Sequence, residues 1–247
     1  MRPFGAGFRS AFGYFTAIRV GTRDAPDEVA VAFLPFVGLL LGAICGGIGF
    51  AGSFVVPHAI AVSIVFVAGV LLTGAVHADG FMDTCDACFA AVPPARRLEI
   101  LRDPRHGTFA VAGMLCASAL WLAGLWYVPF AALPLALALV FAAARLASVA
   151  NALVVPYARE TPSSALGARP PWWLLGLFAI ATEWLAFALH VRGAVWIVPA
   201  LIALALACGQ YLKRLLGGGL TGDAYGFMIF SGEAIGLAAL GTLYTRM

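Results

Sequence analysis

Apolar residues run through this chain in long stretches, and most charged residues fall in the gaps between them, Arg145, Glu183 and Glu233 being the exceptions. The run from Gly107 to Ala144 carries no charge at all. As one helix it would measure about 57 Å at 1.5 Å per residue, nearly twice a hydrocarbon core of about 30 Å. It must fold back as two spans. The same reading along the whole chain predicts helices near 31–56, 58–76, 108–128, 130–155, 172–190, 194–212 and 224–243. Long unbroken runs replace the short alternating segments of a membrane barrel. The expected fold class is therefore all-α, a polytopic integral membrane protein with about seven transmembrane helices over a single domain, 1–247. Ahead of the first span, Arg2, Arg9, Arg19 and Arg23 interrupt short apolar stretches, which reads as an interfacial amphipathic segment rather than a cleavable signal peptide.

Composition agrees. Hydrophobic residues make up 62% and charged residues 11% of the 247, with a mean hydropathy of +0.96. Disordered chains, secreted disulfide scaffolds and nucleic-acid-binding domains are excluded, since those are polar, cysteine-dense or strongly basic. The net charge of +3 matters only through its distribution. Arg2, Arg9, Arg19, Arg23, Arg96, Arg97, Arg102, Arg105, Arg159, Arg169, Lys213 and Arg214 fall on one side of the predicted spans, and only Arg192 and Arg246 on the other. By the positive-inside rule the N-terminus and the three long loops face the cytoplasm and the C-terminus faces outward. The stretch from Thr161 to Pro171 reads as one of those loops. Nearly every acidic residue shares the cytoplasmic side, so the active site is expected there. Cys85 and Cys88 form a lone C-x-x-C, and the other cysteines read as packing residues. Trp172 and Trp173 read as interfacial anchors.

The chemistry concentrates just after the second span. Asp79, Asp83 and Asp86 stand at i, i+4 and i+7, one face of a helix. Carboxylates so crowded repel one another and call for a cation, and a hard divalent metal such as magnesium or manganese suits oxygen ligands. A solvated acidic loop, neutralised by Arg96, Arg97, Arg102 and Arg105, is the competing reading. Those guanidinium groups are also well made for phosphate oxygens. Further on, Gly217, Gly218 and Gly219 precede Thr221 and Asp223 at the mouth of the last span, where backbone N–H groups can meet phosphate or simply turn the chain.

Taken in order, H-x-D-G-x-x-D-x-x-D from His77, then R-R-L-E-I-x-R-D-x-R-x-G-T from Arg96, then G-G-x-T-G-D-x-x-G from Gly218 resemble the adenosylcobinamide-GDP ribazoletransferase (cobalamin synthase) family. Weaker similarity covers Phe33 to Gly38 and Tyr157 to Arg159. The resemblance implies a magnesium-dependent enzyme of the bacterial inner membrane. Its substrates would be adenosylcobinamide-GDP and α-ribazole or α-ribazole 5′-phosphate, its product adenosylcobalamin or the 5′-phosphate, and GMP would leave. It also implies roles: Asp79, Asp83 and Asp86 hold magnesium, Arg102, Arg105, Gly218, Gly219 and Thr221 bind substrate, and Glu233 supports the site. Asp223 or His77 supplies the general base. Ala87 to Ala90 departs from the family's usual Gly-rich turn, and Phe230 stands where an acidic residue is common. Two other classes share some of these features. A CDP-alcohol phosphotransferase uses similar magnesium chemistry, but its D-G-x-x-A-R start is missing, since Asp79-Gly80 runs on to Asp83. A transporter would place its acids near the membrane midplane. Of the intramembrane acids, Glu183 matches no motif and is expected in an interhelical hydrogen bond. The number of copies that assemble is left open.

Overall fold

The computed structural model describes residues 4–18, 20, 27–158 and 169–247. Arg2, Arg19, Arg23 and Arg159, and most of the 161–171 loop, lie outside the described residues. The elements in order are α1 (Phe4–Phe15), α2 (Glu28–Ala32), α3 (Leu34–Gly52), α4 (His58–Leu72), α5 (Val76–Phe89), α6 (Pro94–Ile100), α7 (Thr108–Trp126), α8 (Leu133–Ala150), α9 (Trp172–Ala188), α10 (Ile197–Leu215) and α11 (Gly222–Tyr244). The sole extended pairing among them is an isolated parallel bridge between Tyr157 and Leu220.

The apolar periods fall where the sequence places them, with differences that proline and glycine explain. The first predicted helix is split at Phe33, because Pro35 has no N–H to continue the ladder and instead opens α3 in its first turn. Pro134 sits likewise in the first turn of α8. After α4 the chain takes two left-handed residues, Gly74 at φ 62° and Ala75 at φ 59°, and leaves along α5 at 86° to α4. Five segments are long and apolar enough to cross a bilayer: Leu34–Gly52, Thr108–Trp126, Phe130–Leu153, Ala194–Leu215 and Gly222–Tyr244. The bent pair of α4 and α5 makes a sixth if it is one broken span, or else a re-entrant loop. At 17 residues α9 is apolar but shorter, so the expected seven spans become five or six that meet the length.

α8 forms the centre, buried along nearly its whole length. α3 lies against it through Gly38, Gly42 and Gly46, where an added Cβ would run into the carbonyls of Phe141, Leu137 and Leu133. This is close backbone packing through small residues, the usual way membrane helices associate when apolar burial alone cannot drive them together. Gly124 of α7 and Gly241 of α11 meet in the same fashion. Outward, Leu115, Ile180, Trp184 and Leu204 are exposed, as a lipid-facing surface requires. Exposed Trp172 at one end of the bundle and Trp196 at the other fit interfacial positions.

Candidate active site

The site lies at the end of the bundle where α4 finishes and α5, α7 and α11 begin. Its scaffold is the crossing of α5 with α11, set by two glycines. An added Cβ at Gly80 would stand 3.0 Å from the Asp223 Cα, and one at Gly226 would stand 3.2 Å from the Gly80 Cα. A side chain at either position would press the two backbones apart, and their approach lays the first turn of α11, and Asp223 with it, against the helix that carries Asp79 and Asp83.

Asp79 and Asp83 face the 101–107 loop, and the side chain that meets them is His106. Its Nδ1 lies 3.4 Å from Asp83 Oδ1 and its Nε2 lies 3.8 Å from Asp79 Oδ1. One ligand atom from each of the three residues falls within 4.8 Å of the others, close enough that together they could hold a cation. Asp83 is the most enclosed of them, with a side chain 18% exposed against 66% for Asp79. Partial burial, and then the charges of Asp79 and Asp223, push its carboxyl up to about 6, while His106 pulls the other way.

The third aspartate is turned elsewhere. Asp86 Oδ2 accepts the Gly107 N–H, and Oδ1 accepts the Ala110 N–H at 2.9 Å, so both oxygens serve the start of α7. Spacing puts Asp86 on the right helical face but says nothing of what lies opposite, and what lies opposite is a helix end with orphan N–H groups.

The arginines divide similarly. Arg105 is engaged by Asp103 through Nε to Oδ1 at 2.8 Å and Nη2 to Oδ2 at 2.7 Å, which holds the Asp103 carboxyl down at about 2. Arg96 pairs with Glu99 on the surface. Arg97 is buried and donates to the carbonyls of Ala87, Cys88 and Val92, closing the C-terminal end of α5. Arg102 is exposed on the same loop.

In the glycine loop, Gly217 at φ 81° and Gly218 at φ 123° use backbone conformations that side chains disfavour. Gly218 is open, with nothing near a Cβ position, whereas Gly219 packs against the backbone of Tyr157 and Ala158. Thr221 is fully buried and caps α11 by accepting from Ala224 N–H. It therefore takes the capping role at this helix start, and Asp223 follows in the first turn.

Two further expected site residues, His77 and Glu233, lie away from the cluster. His77 lies two positions before Asp79, hence on the opposite face of α5, and is buried. Its Nε2 has no hydrogen-bond partner among the described residues, and it borders a cavity of about 10 Å³ that also touches Thr73 and Glu233. Glu233 is ten residues along α11 from Asp223, about 15 Å at helical rise. It is paired with the wholly buried Arg145 of α8, whose Nη1 donates to Oε1 at 2.7 Å and to the Phe141 carbonyl at 2.9 Å. Glu183, half-buried on α9, makes no interhelical hydrogen bond among the described residues. All five cysteines are free, Cys85 and Cys88 included. His106 is the residue that sequence reasoning passed over. Its only sequence signal is its place between the arginines and Gly107, with no periodic relation to Asp79.

The profile of a family described as cobalamin-5-phosphate synthase matches residues 7–241. An adenosylcobinamide-GDP ribazoletransferase of Chlorobium chlorochromatii (strain CaD3) is 31% identical over 229 residues, 87% of this chain and 89% of its own. One of Geobacillus kaustophilus (strain HTA426) is 32% identical over 247 residues, 93% and 92% of the two chains. One of Escherichia coli O17:K52:H18 (strain UMN026 / ExPEC) is 37% identical over 218 residues, 83% and 85%. No solved structure matches.

Proposed function

The chain belongs to the cobalamin-5-phosphate synthase family, and from that premise we propose how the end of its helix bundle performs the reaction. The activity is ribazole transfer with adenosylcobinamide-GDP, a step of cobalamin biosynthesis, carried out by a multi-pass membrane enzyme. This membership removes the transporter and the CDP-alcohol phosphotransferase from contention. The observation that carries the mechanism is the convergence of Asp79, Asp83 and His106 beside Asp223.

The two carboxylates suit a hard divalent cation of the magnesium or manganese type, with remaining positions left to water and phosphate, while the imidazole within ligand distance of them is a ligand more usual for transition ions than for magnesium. Asp79 and Asp83 would hold it, with His106 as the third ligand. When bound, such an ion neutralises charge on the pyrophosphate. The protein's own task is positioning. The ribose hydroxyl of α-ribazole, or of its 5′-phosphate, forms a bond to the cobinamide-side phosphorus as the bond to the GMP oxygen breaks. Asp223 takes the hydroxyl proton, since His77 is on the far face of α5. Arg102, and Arg105 once released from Asp103, bind phosphate oxygens, and the open backbone of Gly218 borders the same end of the bundle. The enzyme sits in the bacterial inner membrane with this end in the cytoplasm, and α4 and α9 complete seven crossings.

Protein reconstituted in vesicles and supplied with adenosylcobinamide-GDP and α-ribazole is expected to release GMP in step with the corrinoid product, as measured by chromatography. EDTA should stop release and added Mg²⁺ should restore it. Full turnover in metal-free enzyme would refute the metal reading and leave the family assignment intact.

A further inference from the structure

α7 starts without a cap of its own. Its N-cap is Gly107, extended at φ −96° and ψ −172°, and offers no side-chain acceptor. The first amides of a helix have no partner within it. Here the acceptor comes from 21 positions upstream, where Asp86 takes the Gly107 N–H on one oxygen and the Ala110 N–H on the other. The fit is tight, since an added Cβ at Gly107 would stand 2.9 Å from Asp86 Oδ1 and 3.3 Å from the carboxyl carbon. The carboxylate thus occupies the space that a local capping side chain would use. Immediately before Gly107 comes His106, whose ring reaches Asp83 at 3.4 Å and Asp79 at 3.8 Å. The contacts of Asp103 with Arg105 are local to the loop and leave it untethered to α5.

We propose that Asp86 is a positioning residue: by closing the start of α7 it holds the His106 imidazole against Asp79 and Asp83, and it takes no place among the metal's ligands. The inference rests on the metal reading above and changes the ligand set that the i, i+4, i+7 spacing suggests. Both Asp86 oxygens face backbone N–H groups of α7 and lie outside the cluster of Asp79, Asp83 and His106, while the ring delivered by the clamp supplies the third ligand. Gly107 suits the arrangement, because a side chain there would displace the Asp86 carboxylate from its place.

The test moves the cap without moving the charge back. Asp86→Ala removes the clamp, and Gly107→Ser in that background supplies a local hydroxyl to the Ala110 N–H, the usual N-cap geometry, in the space that Asp86 vacates. The full-length protein in nanodiscs is titrated with Mn²⁺, free ion being read by electron paramagnetic resonance, and amide exchange is followed over 104–112. Asp86→Ala should weaken Mn²⁺ binding at least tenfold and speed exchange at 107–110. The double variant should recover most of both. If Asp86 is itself a ligand, the double variant regains exchange protection but binds Mn²⁺ as weakly as the single one, and the proposal is overturned. Exchange unchanged by Asp86→Ala overturns it as well. A native chain that takes up no Mn²⁺ refutes the metal reading, and the exchange arm then decides the clamp by itself.

Discussion

At Asp83 burial, the neighbouring carboxylates and His106 act on one carboxyl, and their balance leaves it at about 6. A proton and a divalent cation compete for that group. Above pH 6 the carboxylate is ionised and the affinity for Mn²⁺ should be level; below it the cation must displace a proton, and affinity should fall by about tenfold per pH unit. Titrations with Mn²⁺ on either side of that value check the sign, and an affinity that does not fall on acidification would count against Asp83 as a ligand. Asp83→Asn keeps the size of the side chain and removes its charge. It should lower GMP release by ~10²-fold or more while the protein stays folded in the membrane. Asp223→Asn makes a sharper case than its position suggests. Thr221 already caps α11, so loss of the Asp223 charge leaves the helix start in place, and any loss of transfer with donor still bound reports on chemistry. Near-normal release would return Asp223 to a structural role. Carboxylates at one helical spacing are legible in sequence as a shared face. That Asp86 meets amides while Asp79 and Asp83 meet an imidazole depends on which segment lies across from each.

Between elements, glycine and one ion pair decide the packing. Gly42 of α3 lies against the Leu137 carbonyl of α8, so Gly42→Val must push the two helices apart. Overpacking of this kind typically costs about 1–3 kcal/mol, and it should appear as a lowered midpoint of thermal unfolding in detergent, with Gly47→Val, which meets open space, as the neutral control. The Arg145–Glu233 pair ties α8 to α11 inside the bundle. Glu233→Ala strands a buried guanidinium and is expected to cost about 3–5 kcal/mol. Replacing both partners, Arg145→Met with Glu233→Leu, should recover most of that stability, because no unpaired charge is left. Failure of the double variant to recover would mean that Glu233 acts beyond its partner, through the cavity it shares with His77. An acidic residue inside an apolar run announces that it needs a partner. Its identity, 88 residues away, is not written in the local pattern.

The whole molecule is sided. The described basic residues Arg9, Arg96, Arg97, Arg102, Arg105, Arg169, Lys213 and Arg214 lie on segments at the end of the bundle that bears the acidic cluster, and Arg192 and Arg246 on segments at the other. Cysteine labelling or reporter fusions after Arg105 and after Arg214 should report cytoplasm, and a fusion after Arg246 should report the outside. A cytoplasmic C-terminus would show that α4 with α5 forms a re-entrant loop, or that the 17-residue α9 does not cross. Sequence alone determined the helical class, the positions of the apolar segments, the bias of basic residues to alternate connections and the close spacing of the carboxylates. Each of these is a local demand of the bilayer, which requires about 20 apolar residues per crossing with every backbone group bonded within the segment. The tertiary structure decided the rest: His106 as the neighbour of Asp79 and Asp83, Asp86 as the acceptor for the first amides of α7, and Arg145 as the counter-charge of Glu233. Those contacts depend on how each helix is rotated about its axis, and that rotation is set by glycine faces of separate helices closing on one another, a condition no single segment carries.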